Sequence, residues 1–383
     1  MDDPLERARR LIASYDEELV RDLPADSEVV DVHTHLGNDI DGMSATYEEL
    51  MGILDRYGIS RACVFCLDEP DREPGFRAPN DRTLAHAGRS GGRLVPFVRL
   101  DLTHDPVGEA VRCLDRGARG IKLHPRAQRF ALHDERLAPI FELAADRRVP
   151  ILIHGGRGLP PIAEHLAALV ERYPGAQLIV AHAGIADMAG LAGLLGGKAG
   201  VFFDTSVWSP IDLLDLYRLV APEQVLFASD YPYGQQPASL LIALRTARAA
   251  GFDDDRLRDM LASSANRILD GEPPAQPTAP VGDETFVQPL TYARIHQYLS
   301  MATPLLWTRQ ADTIGVLGLA LNACYERNGR RAETDDIKEL LSCARELWRT
   351  LPEYEEERER MLMTRTTFRL IHIADILAVT TRA

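Results

Sequence analysis

The chain alternates short apolar runs with longer stretches of helical period. Runs rich in Val, Ile and Leu recur at 29–33 (VVDVH), 62–67 (ACVFCL), 94–100 (LVPFVRL), 120–124 (GIKLH), 150–154 (PILIH), 178–182 (LIVAH), 201–205 (VFFDT) and 225–230 (VLFASD). Such runs suit strands buried on both faces, as in a parallel sheet covered by helices. The segments between them suit helices, as at 46–58, 105–117 and 134–147. Each of these opens near a Thr or Asp that can cap it, and several end at Gly. Eight strands alternating with about eight helices over roughly 250 residues predict an α/β fold, the TIM (β/α)8 barrel. The rival, an open doubly wound sheet, needs a Gly-rich phosphate loop after its first strand, where this chain has HTHLGND.

The pattern differs at both ends. Residues 5–21 read as an amphipathic helix, which gives an N-terminal helical segment over 1–27 and a barrel over 28–271. The stretch 272–284, EPPAQPTAPVGDE, reads as a Pro-rich linker. Beyond it, 285–383 shows no strand-like alternation and predicts a C-terminal α-helical domain or extension, with helices over 291–299, 305–328, 336–349 and 353–379. The run EYEEERER within the last reads as a solvated helix face.

Composition narrows the partners. A formal net charge of -14 with no basic run argues against nucleic acid. Neither a secretory leader nor a membrane span is predicted, so a cytoplasmic protein acting on a small molecule is expected. The apolar stretch at 305–324 needs a covering surface, either its own barrel or a second copy in a homodimer. Cys63 and Cys66 form a CxxC inside an apolar strand with no second pair, and are expected to be buried thiols.

Candidate chemistry lies where catalytic groups of a barrel lie, at the C-terminal ends of its strands. His33 and His35 end the first run, His154 the fifth, His182 the sixth and Asp230 the eighth. Side chains alternate along a strand, so His33 and His35 face the same way. His33, His35, His154 and Asp230 make an N,N,N,O set that suits one divalent metal, Zn²⁺ first, with Mn²⁺, Fe²⁺ or Co²⁺ as alternatives. Lys122 and His124 share a face of the fourth run and could serve a second metal or the substrate. Arg99, Arg126 and Arg157 follow strands 3, 4 and 5, where a guanidinium can fork a substrate carboxylate, although pairing at the rim is the ordinary use. Trp208 and Tyr231 follow strands 7 and 8 as candidate pocket walls.

DVHTHLG (31–37), GIKLHPRAQRF (120–130), IHGG (153–156), VAHAG (180–184), FASDYPYG (227–234) and SSANRILD (263–270) resemble the amidohydrolase superfamily, most of all its amidohydrolase-related branch. That branch includes metal-dependent hydrolases and decarboxylases related to aminocarboxymuconate semialdehyde decarboxylase. The resemblance covers roughly 28–270 and not the helical region. It implies that His33, His35 and His154 bind metal, and that Asp230 is a ligand that also accepts a proton from water. It implies that His182 is a further ligand or an acid/base that polarises substrate. It leaves Lys122 as either a two-metal bridge or a residue kept in single-metal members. Two activities are compatible with it: hydrolysis of an amide, lactone or ester by metal-activated water, or decarboxylation of an aromatic or unsaturated carboxylate. A binding or scaffolding barrel with little catalysis is the alternative of another class.

Overall fold

The computed structural model describes residues 3–281, 287–326 and 331–381. Eight parallel strands follow one another in chain order: β1 (Val30–Asn38), β2 (Arg61–Cys66), β3 (Leu94–Arg99), β4 (Gly120–Leu123), β5 (Pro150–Ile153), β6 (Gln177–Val180), β7 (Val201–Asp204) and β8 (Val225–Leu226). Helices stand between them. The sheet closes on itself, because the chain after β8 bonds back to β1: Val32 N to Phe227 O (3.1 Å), Asp230 N to His33 O (2.9 Å) and His35 N to Tyr231 O (2.7 Å). This is the expected TIM barrel.

Each expected run forms a strand, with moved ends. β1 continues past its histidines to Asn38 and pairs antiparallel with Ser44–Ala45. The eighth strand is two residues long, and Asp230 beyond it takes a left-handed backbone (φ 58°) that a strand cannot contain. Helix starts follow their caps. Thr46 and Glu49 close a capping box before Tyr47–Arg56, and Asp105 and Asp134 accept the first free amides of their helices.

The barrel interior is a layer of inward side chains, among them Val30, Val32, Phe65, Phe97, Leu152 and Phe202. Gly120 is there because a Cβ would stand 2.5 Å from the Phe97 ring. On β1 the simple alternation fails. Asp31 pairs with Ala62 and Thr34 with Val64, so Val32 and His33 together face Cys63. This bulge resets the parity. Val30 and Val32 face the interior, and so do His33 and His35 beyond it.

The helical region consists of Pro4–Asp22, Leu290–Trp307, Thr313–Ala323, Arg331–Thr350 and Glu357–Thr380. The single helix expected over 305–328 is two, because Arg309 turns left-handed (φ 53°) and ends the first. Residues 327–328 of that expectation, and 282–285 around the linker's end, lie outside the described residues. Residues 272–280 form no helix or strand. The last helix is buried along most of its length from Met363 to Val379. It packs on the barrel helices Pro210–Leu219 and Gln236–Ala250, under the N-terminal helix and two helices of the C-terminal region. All five cysteines are free and buried, and burial pushes the Cys66 thiol up to about 12. Among the described residues no helix is long and apolar enough to cross a membrane.

One buried ion pair ties the two ends of the chain. The Arg369 guanidinium, 3% exposed, meets Asp16 of the N-terminal helix at 2.7 Å, and Tyr57 donates to the same carboxylate. Removing one partner leaves a charge stranded. Asp16→Leu is therefore expected to lower unfolding stability by about 3–5 kcal/mol, read as the urea midpoint; a loss below about 1 kcal/mol, the worth of an exposed pair, would show that the pair is not holding the ends together.

Candidate active site

The strand ends place a cluster of imidazoles and carboxylates at the barrel mouth. His33 is buried on β1. Its Nδ1 lies 2.7 Å from Asp204 Oδ2 at the end of β7, so Nδ1–H donates to the carboxylate and Nε2 is turned to the mouth. Nε2 is then 3.1 Å from Asp230 Oδ1 and 3.2 Å from Lys122 Nζ. His35 Nε2 lies 3.2 Å from the same Asp230 oxygen. His33, His35 and Asp230 thus bring one donor atom each within 4.8 Å of one another. The two imidazole nitrogens and the carboxylate oxygen converge on one point that a proton or a cation can occupy, and an N,N,O set with a carboxylate behind one imidazole suits a divalent metal.

The electrostatics favour unprotonated donors. Burial lowers His35 to about 3 and His154 to about 2, and it also lowers His124 and His182. His33 is the exception. Burial and Lys122 push it down, but Asp230 and Asp204 outweigh them and raise it. Asp230 is opposed by burial, yet His33 and His35 hold it well below the usual carboxylate range. Asp204 is likewise held at about 2 by His33. Lys122 is 1% exposed above the Phe65 ring, and burial lowers it to about 7.

His154 and His182 form a second group. His182 Nε2 and His154 Nδ1 are 3.0 Å apart, and His124 stacks on His154 with centroids 3.8 Å apart. His182 has left the strand; it and Ala183 are left-handed (φ 59° and 54°). Its ring is fixed by Ser206, whose carbonyl and hydroxyl lie 3.0 Å from Nδ1, while Asp204 accepts its backbone amide at 2.7 Å. His33, His182 and Asp204 make another close donor group. His154 belongs to neither close group, although its ring touches His182. Gly156 gives both rings their space: a Cβ there would stand 2.7 Å from His154 and 3.0 Å from His182.

The remaining candidates separate. Arg157 is exposed at the rim and pairs with Asp212 at 3.5 Å. Arg126 is exposed beside Gly158. Arg99 is buried next to Phe76; one N–H reaches the Cys66 carbonyl and its Nε has no partner. Tyr231 is half-buried, and burial pushes its phenol up to about 12. Trp208 is 41% exposed and packs on Trp307 and Phe368 of the helical region.

Sequence reasoning missed four residues. Asp204 ends an apolar run just as His154 does, so the same criterion finds it. Asp31 is a carboxylate in the middle of a buried run. It accepts the His33 and Ser229 amides and the Gln236 side chain, and burial raises it to about 6 despite those bonds. Ser206 and Gly156 carry no signal of their own before the fold is known.

Residues 30–271 match the family model Amidohydrolase. No curated protein sequence matches the chain. Among solved structures, an uncharacterized TIM-barrel protein from Bordetella bronchiseptica is similar in fold at 14% identity, with a TM-score of 0.51 over 64% of this chain and 99% of that one. The Metarhizium anisopliae IDCase in apo form is similar at 17% identity, with a TM-score of 0.50 over 64% of this chain and 98% of that one.

Gly156→Ala puts a methyl into the space of two imidazoles. It is expected to cut divalent-metal affinity or turnover at least about tenfold, with circular dichroism unchanged. Wild-type behaviour on both counts would mean that the rings do not need this space.

Proposed function

Because the chain belongs to the amidohydrolase family, we propose that its barrel mouth is a metal-dependent hydrolase site for a small-molecule amide, lactone or ester. The observation that carries this reading is the convergence of His33, His35 and Asp230 on one point, with Asp204 behind His33. These three residues would hold the cation, and His154 would join them by turning its ring away from His182. Zn²⁺ suits the set best, with Mn²⁺, Fe²⁺ or Co²⁺ as alternatives. A divalent ion bound there would act as a Lewis acid and make water a nucleophile near neutral pH.

The chain's own groups have distinct tasks. Asp230, kept ionised, accepts the proton of the attacking water and returns it to the leaving group. His182, with its Nδ1 proton directed at Ser206, keeps a fixed ring and offers the lone pair of Nε2 as a proton acceptor for the reaction. Lys122 supplies positive charge beside His33. A single cation is the simpler reading, since Lys122 Nζ already lies against His33 Nε2.

Decarboxylation of an aromatic or unsaturated carboxylate is the second reading, and one observation favours it. Arg99 is a buried cation with an unpartnered Nε, and a substrate carboxylate would satisfy it.

Metal analysis, followed by a panel of esters, lactones, amides and unsaturated carboxylates with CO₂ detection, tests both. One divalent ion per chain is expected, and His33→Ala and Asp230→Ala should each lose it or lose turnover by at least about a hundredfold. Both variants keeping metal and rate would refute the site.

The pH dependence has a definite sign. The raised His33 holds a proton between two carboxylates, and a cation must displace it. Metal affinity is expected to rise with pH until His33 is neutral, with proton release on binding. Calorimetry in buffers of different ionisation enthalpy measures this; binding without proton release at pH 6 would contradict it.

A further inference from the structure

The last helix, Glu357–Thr380, lies outside the matched family segment yet reaches the barrel mouth. Its His372 is 5% exposed. His372 Nε2 donates to the Trp208 carbonyl at 2.9 Å, and Nδ1 has no partner. An apolar residue would be more favourable at this depth, since a buried nitrogen without a hydrogen bond is destabilising. The one bond the ring makes is to the loop after β7. Phe368, one turn earlier, packs edge-on against Trp208 at 5.6 Å and stacks on the His372 ring at 5.5 Å. Trp307 stacks on Trp208 at 6.2 Å and lies beside Phe368 at 5.1 Å, so the three rings form one cluster.

That loop is short and carries the partner of His182. Asp204 ends β7, and Ser206 holds the His182 ring through its carbonyl and hydroxyl. Upstream, the Thr205 amide is fixed to Leu226 O and the Ser206 amide to Asp204 Oδ1. Downstream, Trp208 lies two residues on and its carbonyl is held by His372. The loop is therefore anchored by the barrel on one side and by the helical region on the other.

We propose that His372 is a positioning residue for His182: by clamping the Trp208 carbonyl it fixes Ser206, and through Ser206 the ring orientation and Nδ1–H tautomer of His182. The helical region is then part of the active-site support. This inference rests on the reading of His182 as a site residue.

Imidazole ¹⁵N spectra of the full chain as purified provide the test. In the wild type His182 gives a single set of signals of the Nδ1–H tautomer. In His372→Leu, which keeps the packing volume and removes the bond, those signals move to an averaged tautomer. In His372→Gln, whose amide N–H can reach the same carbonyl, they return. For any substrate the panel yields, kcat of His372→Leu falls about tenfold, as for an outer-shell partner, with KM within about twofold, and His372→Gln recovers it. If His372→Leu does not fold, His372→Asn, too short to reach the carbonyl, is read the same way. His182 signals unchanged on loss of the bond, or His372→Gln no better than His372→Leu, overturn the proposal. His182→Ala separates the two readings: full turnover in that variant removes His182 from catalysis while the response of its spectrum to His372 still stands.

Discussion

Closure of the sheet between β8 and β1 is the constraint on which the mouth of this protein depends. The Asp230 amide bonds to the His33 carbonyl, and the His35 amide to the Tyr231 carbonyl. The residues proposed to share a cation are thus laced by backbone before any ion arrives. Such bonds need no side chain and no metal, so the donor geometry is a property of the barrel. An open sheet would leave these two segments as separate edges, and the carboxylate would have no fixed distance from the imidazoles.

Upon that seam a row of charge is built: Asp204, His33, Asp230, with His35 and Lys122 alongside. Each member alone would be costly to bury. The two carboxylates raise His33, and His33 holds both carboxylates ionised. The row is self-supporting without a cation, and under the proposed function it would exchange a proton for one.

Much of this was legible in the chain. Eight apolar runs at regular spacing announced the barrel, and His33, His35 and Asp230 were found by asking which polar residues end such runs. Asp204, which ends the run VFFD, meets the same criterion. The bulge at Val32–His33 was not legible, since HTH after VVDV looks the same with or without an extra residue. Nor was the pairing of His154 with His182, which depends on Gly156 lacking a Cβ and on His182 leaving β6. The break at Arg309 was hidden by a continuous helical pattern, because a single left-handed residue has no signature in an arginine. The helical region was visible as helices, but its reach to Trp208 depends on packing between segments far apart in sequence.

The left-handed backbones of His182, Ala183 and Asp230 have a consequence for how this enzyme could be altered. Non-glycine residues in that conformation cost roughly 1 kcal/mol each. Glycine or asparagine would relieve the strain, so selection for heat resistance alone would be drawn to the very positions that carry the imidazole and the carboxylate. Under the roles proposed for His182 and Asp230, a thermostable descendant obtained in that way would keep its barrel and lose its chemistry. The strain marks where robustness and reactivity compete within one fold.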